Sequence, residues 1–183
     1  VCSSDLMRIY NRYKDNCLGV ISDVRFPHNG QRDPEAGFRL LEDIRKEDEY
    51  VPLIMESSES ANKERAEKEH FHFVDKNSKM LSLELRHLLE EHMGFGDFIF
   101  RDPKTHQEIM RIHTLKELQD NIFKIPRDSM LYHISRNHMS RWLCARAIFP
   151  VSNFLKHVTW HKLQDVDAHR QIIFDAIVQY RHM

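Results

Sequence analysis

The sequence predicts an α/β unit built on a parallel sheet, followed by a small, mostly helical α+β unit. Three observations carry this. Short apolar runs at residues 17–22, 51–55 and 71–74 are separated by segments of helical period, and parallel strands need such crossover connections. Gly94 and Gly96 then punctuate the chain, and beyond them the pattern changes to a hairpin and further helical segments. Charge divides at the same place. From Asp97 onward 13 basic side chains face 9 acidic ones, whereas the part before it is acidic by five.

The elements follow in order. Residues 1–6, Val1-Cys2-Ser3-Ser4-Asp5-Leu6, read as a translated sequencing adapter and are set aside as a non-native scar. The chain does not begin with Met and its first element starts in mid-pattern, so the sequence is expected to be a fragment whose N-terminal part is missing. Ile9, Tyr10 and Tyr13 give a helical period from Met7 to Lys14, and Asp15-Asn16 break it. Residues 17–22 read as a fully buried strand. Residues 26–34, with two prolines and Gly30, read as a loop. Asp33 is placed as the N-cap of a helix with Pro34 in its first turn and Phe38, Leu40, Leu41 and Ile44 inward, ending near Lys46. A strand at 51–55 admits Pro52 at its entrance. A polar helix over 60–70 has almost no apolar face, and marginal stability is expected of it. A third strand at 71–74 precedes a helix over 80–92 with Leu81, Leu85, Leu88 and Leu89 inward.

In the second unit, residues 97–100 and 108–112 flank a turn at Asp102-Pro103 and read as a hairpin. Thr114 with Glu117 forms a capping-box signature. Asp128 is placed as the cap of a helix through Arg136, which continues or restarts from 137 or 138 to Phe149 and stops before Pro150. A short helix over 152–157 and a last one over 167–181 complete the chain.

Composition narrows the class. The 183 residues are 41% hydrophobic with 27 Lys+Arg against 28 Asp+Glu, which describes a globular chain with no dominant field of one sign. Three widely spaced cysteines give no disulfide framework, so a reducing cytoplasm is expected. No apolar stretch approaches the ~20 residues that span a bilayer, so no membrane partner is expected.

Asp23, Ser57 and Lys76 each close one of the three apolar runs, which places a carboxylate, a hydroxyl and an ammonium at strand ends. The segments that carry them, Val20-Ile21-Ser22-Asp23, Val51-Pro52-Leu53-Ile54-Met55-Glu56-Ser57-Ser58 and Phe73-Val74-Asp75-Lys76, together with Gly37-Phe38-Arg39-Leu40-Leu41, resemble the receiver domain of response regulators over residues 17–93. The resemblance implies an incomplete, flavodoxin-like, doubly wound sheet over 7–93, with its site at the carboxyl ends of the strands. It implies Asp23 as the phosphoacceptor, Lys76 as the charge that neutralises the phosphoryl oxygens and Ser57 as a hydrogen-bond donor to them. It also implies Mg²⁺ in an intact receiver, bound by Asp23 and the backbone carbonyl of Arg25 together with an acidic pair after a first strand that this sequence lacks. Without that strand, the strand over 17–22 is expected to keep an unpaired apolar edge, which favours aggregation. Asn77 replaces the proline that follows the lysine in the family. The fragment itself is therefore expected neither to hold Mg²⁺ nor to phosphorylate efficiently.

Residues 97–183, through Leu131-Tyr132-His133-Ile134-Ser135-Arg136-Asn137-His138 and Ile173-Phe174-Asp175-Ala176-Ile177-Val178-Gln179-Tyr180-Arg181, are similar to a linker that precedes the nucleotide-binding domain of bacterial phosphoenolpyruvate synthase or pyruvate phosphate dikinase-like proteins. That similarity implies a regulatory region of a larger phosphotransferase, with a sensor kinase or other phosphodonor and the downstream domain as partners. ATP would belong to that downstream domain alone. Catalysis by this chain alone is not expected, because it has no glycine-rich phosphate loop, nucleophile elbow or His-Glu-x-x-His pattern.

Two rival readings have weaker supports. His70 with His72 and His157 with His161 are spaced for a shared face but lack a third ligand, and His133 and His138 are expected to diverge around a helix. Arg136, Arg141 and Arg146 beside Trp142 suggest a DNA-binding output, but a five-residue interval spreads them around a helix and argues against nucleic acid.

Overall fold

Helix α1 (Ser3–Tyr13) opens the chain and runs into a 3-10 turn at Lys14–Asn16. The computed structural model describes residues 3–28, 31–163 and 165–182. These fall into two units, Val1–Met93 and Gly94–Met183. The helix begins within the six residues set aside as a scar, and Leu6 and Met7 pack against the first core. That corrects the expected start at Met7. Val1 and Cys2 lie outside the described residues.

The first unit continues through β1 (Val20–Asp23), β2 (Phe26–His28), β3 (Gln31–Asp33), α2 (Ala36–Glu47), β4 (Leu53–Ser57), α3 (Ala61–Lys68), β5 (His72–Asp75) and α4 (Leu81–His92). Strands β1, β4 and β5 form a parallel sheet in that order. The unit is therefore α/β. On one face Phe38, Leu41 and Ile44 of α2 cover Leu53 and Met55 with Tyr10 of α1, and Phe38, Leu41 and Leu53 are fully buried. On the other, Ile54 and Val74 meet Leu81, Leu85, Leu88 and Leu89 of α4, which are only partly buried.

Three expectations need correction here. Strand β1 is not fully buried: Ile21 is 44% exposed, on a strand that stands at the edge of the sheet as the resemblance implies. The expected loop after Arg25 holds a small antiparallel hairpin, β2 with β3, whose residues 29 and 30 lie outside the described ones. Asp33 belongs to β3, and the residue that caps α2 is Glu35, although Asp33 Oδ1 still accepts from the Glu35 N–H at 2.9 Å. Helix α3 has one buried residue, Ala66, and what ties it down is Arg65. This guanidinium lies 3.8 Å from the ring centroid of Phe38 and pairs with Glu35 and Glu69. The exposed ion pairs contribute little, and the covered ring more.

The second unit holds the antiparallel hairpin β6 (Phe98–Arg101) and β7 (Glu108–Ile112), then α5 (Leu115–Asn121), α6 (Arg127–Ser135), α7 (His138–Cys144), α8 (Phe149–His157) and α9 (Val166–Arg181), with 3-10 turns at Ile122–Lys124 and Trp160–Lys162. The Thr114 hydroxyl accepts from the Glu117 N–H at 3.1 Å, as a helix start requires. Asp128, by contrast, caps nothing: α6 starts after Pro126 with no side-chain cap. Pro150 does not stop a helix but begins one, standing in the first turn of α8 where its missing N–H costs nothing. Phe100, Ile112, Leu118, Trp142, Ile173 and Ile177 form the core. No helix among the described residues is long and apolar enough to cross a membrane.

Candidate functional site

Because β1, β4 and β5 are parallel, their carboxyl ends share one rim, and the register sets Asp23 beside Glu56 and Glu56 beside Val74. Partners across a sheet point to the same face, and so do residues two apart along a strand. Asp23, Glu56 and Lys76 therefore converge. Ser57, one residue after Glu56, turns to the other face.

The Lys76 ammonium donates to Asp23 Oδ2 at 2.6 Å and stands 3.6 Å from Glu56 Oε1. The Arg25 N–H donates to Asp23 Oδ1 at 3.4 Å. Partial burial raises the Asp23 carboxyl, but the hydrogen bonds from Lys76 and Arg25 and the charge of Lys76 outweigh it and hold the group below the usual carboxylate range. Lys76 is correspondingly raised, chiefly by its bond to Asp23. The two side chains are 45% and 33% exposed. Solvent screening at that exposure limits the pair to about 1 kcal/mol of stability or less. Its effect is to aim two charges at an accessible rim.

The backbone around the pair is tightly fixed. The Gly37 N–H donates to Val24 O at 2.9 Å. A Cβ at Gly37 would overlap Asp23 O, so only glycine lets the start of α2 press on the end of β1. The Lys76 N–H donates to Ser57 O at 2.9 Å, which ties the end of β5 to β4. The Ser57 hydroxyl is buried and accepts from Glu59 N–H and from Asn62 Nδ2, both at 3.0 Å. Its bonds run to the start of α3 and not to Asp23 or Lys76. The Arg25 guanidinium pairs with Glu59 at 2.6 Å.

Searches of protein-family models, of curated proteins and of solved structures find no match to this chain. The geometry therefore carries the reading.

Glu56, Asn62 and Gly37 join the site only in three dimensions. Glu56 was recoverable in principle, since the residue before a strand-end hydroxyl must face away from it and a parallel neighbour sets what it meets. Asn62 has no such signal, for its bond to Ser57 depends on how α3 enters.

Mg²⁺ is bound through carboxylates, waters and phosphate oxygens in a near-octahedral shell. Here Asp23 and Glu56 both face Lys76 Nζ, and among the described residues no group of three His, Cys, Asp or Glu is placed to hold a metal ion. The described residues thus do not fit a Mg²⁺ site by themselves, and the chemistry assigned to Asp23 takes no step through one.

The remaining candidates are spent on packing. Arg136 lies over Tyr132 and Arg146 over Trp142, at 4.2 and 4.0 Å. His70 sits at φ 59° before β5, while His72 stacks on His92 at 4.0 Å. Helix α8 ends at His157, so His161 falls on the next turn. His133 and His138 do not diverge: their Nδ1 atoms are 3.0 Å apart, because Asn137 takes a left-handed conformation and ends the helical path between α6 and α7.

Proposed function

We propose that this chain is a regulatory region of receiver type, in which the charge state of Asp23 is read by Lys76 and conveyed to a downstream phosphotransfer domain. The observation that supports it is the 2.6 Å contact between a carboxylate and an ammonium that are 53 residues apart, set at the carboxyl rim of a parallel sheet. On this reading the first unit is a flavodoxin-like sheet, the partners are a phosphodonor and a phosphoenolpyruvate synthase or pyruvate phosphate dikinase-type domain, and the compartment is the cytoplasm.

The chemistry is a phosphoryl transfer. An Asp23 oxygen attacks the phosphorus of the donor, the new P–O bond forms as the donor's own bond to phosphorus breaks, and the leaving group departs with that electron pair. Lys76 then shifts its ammonium to the phosphoryl oxygens as a point charge. Glu56 opposes this step, since it adds a second negative charge beside the incoming group. Ser57, held by Asn62 and Glu59, links the rim to α3, so a change in its bonding reaches that helix.

Acetyl phosphate tests the assignment. Phosphoryl incorporation, read by intact-protein and peptide mass spectrometry, is expected to be slow, substoichiometric and confined to Asp23, and Asp23→Asn is expected to abolish it. Labelling that survives Asp23→Asn, or none in either protein, would remove Asp23 as the acceptor. Stoichiometric, stable labelling would show that the rim is better equipped than Asp23, Glu56 and Lys76 suggest.

A further inference from the structure

Asp23 ends β1, Lys76 follows β5, and β4 lies between those two strands. Two strand spacings, about 9.5 Å, therefore separate the strands that carry them. The lysine side chain has to pass over the end of β4 to reach the carboxylate, and the residue it passes is Glu56, the register partner of Asp23. The contacts follow that path: Nζ is 2.6 Å from Asp23 Oδ2 and 3.6 Å from Glu56 Oε1.

Glu56 departs from the pattern of its own strand. Two residues earlier on the same face is Ile54, fully buried, and the register partner of Glu56 on β5 is the buried Val74. An apolar side chain at 56 would continue that face. The backbone beside it is fixed as well: the Lys76 N–H donates to Ser57 O and Asn77 Nδ2 to Ser58 O, both at 2.9 Å, which ties the chain leaving β5 to the chain leaving β4. The ammonium is thus held over Glu56 and moves only through its own side-chain torsions.

Charge, and not the number of donors, is what this rim lacks. An ammonium has three N–H groups and can serve both carboxylates at once. Its single positive charge nevertheless leaves Asp23, Glu56 and Lys76 with one net negative charge between them. Arg25 and Glu59, paired at 2.6 Å, add none, and Asp75 turns with Ser57 to the opposite face. A phosphoryl group brings a further negative charge of about 1.5 to 2.

We propose that Glu56 is a positioning residue that restrains phosphoryl transfer to Asp23: it shares the charge of Lys76 before the donor arrives and repels the donor as it approaches. The inference rests on the reading of Asp23 as the acceptor and adds the group that sets its rate. With a neutral residue at 56, the Lys76 charge is left to Asp23 and to the phosphoryl oxygens.

The test measures the initial rate at which acetyl phosphate, losing acetate, labels Asp23 in the full chain. Wild type, Glu56→Gln and Glu56→Asp are compared by intact-protein and peptide mass spectrometry over a range of sodium chloride concentrations. Glu56→Gln should raise the rate about tenfold, whereas Glu56→Asp, which keeps the charge, should stay within about twofold of wild type. Added salt should speed wild type by screening like charges, and should change Glu56→Gln much less. Equal rates in wild type and Glu56→Gln would overturn the restraint and leave the acceptor assignment standing. A Glu56→Asp rate as high as that of Glu56→Gln, or the same salt response in both, would assign the effect to shape and overturn it too. Labelling of Asp23 in none of the three proteins would remove the acceptor, and the restraint with it. Should Glu56→Gln fail to fold, a wild-type rate that does not rise with salt overturns the proposal by itself.

Discussion

Replacing Trp142 by alanine is expected to destabilise the second unit by about 3–5 kcal/mol, measured by urea denaturation. The side chain is 1% exposed, and its loss leaves a cavity in the centre of the core. More than apolar area is involved. The indole N–H donates to Gly96 O at 3.1 Å, and the ring carries the Arg146 guanidinium 4.0 Å from its centroid. Arg146 in turn donates to Gly94 O and Gly96 O, both at 2.8 Å, so the tryptophan and the arginine together tie the segment before β6 to α7. Gly94 has φ 83°, and a Cβ there would come within 2.9 Å of Trp142 Cα. Trp142→Phe keeps most of the volume and loses the hydrogen bond, and about 1–2 kcal/mol is expected for it.

Acidification supplies the second large effect. His133 is buried, which pushes its pKa down to about 4, with Arg101 and Arg136 adding to the shift. The Arg101 N–H donates to Nε2 at 3.1 Å, so the neutral ring carries its proton on Nδ1, toward His138. A proton added at Nε2 would face that N–H. The unfolded chain takes up the proton near the ordinary value of 6.5, while the folded chain resists until about 4. Stability is therefore full above pH 6.5, falls as pH drops below it, and levels off near 4, for a total loss of about 3 kcal/mol. Denaturation midpoints of the wild type and of His133→Gln, compared across a pH range that brackets both values, check this. The glutamine keeps an acceptor but does not titrate, and its profile should be flatter by that amount.

Helical and strand periods made most of the elements legible in the sequence, from Phe38, Leu41 and Ile44 on α2 to Leu118 and Ile122 in the second unit. The illegible parts depended on neighbours. Ile21 reads as buried because a run of apolar residues contains it; the edge position of β1 follows from the resemblance and not from the run itself. Pro150 reads as a stop signal, and its alternative use at a helix start is settled only by the packing of Val151 and Leu155, which α8 carries into the core. The pairing of His133 with His138 depends on the backbone of Asn137, a conformation that asparagine tolerates but does not announce. At the rim, Asp23 and Lys76 were visible as strand ends, whereas Glu56 became part of the site only through the register of β1 on β4.

The proposed regulatory role depends on one electrostatic contact between a carboxylate and an ammonium at a shared rim. Its most direct test is the titration of the Asp23 carboxyl by NMR in the wild type and in Lys76→Met. The wild-type group is expected to titrate below 3.8 and to move upward when the ammonium is removed. A carboxyl that titrates at the same pH in both proteins would show that the two groups do not share a site, and would contradict that role.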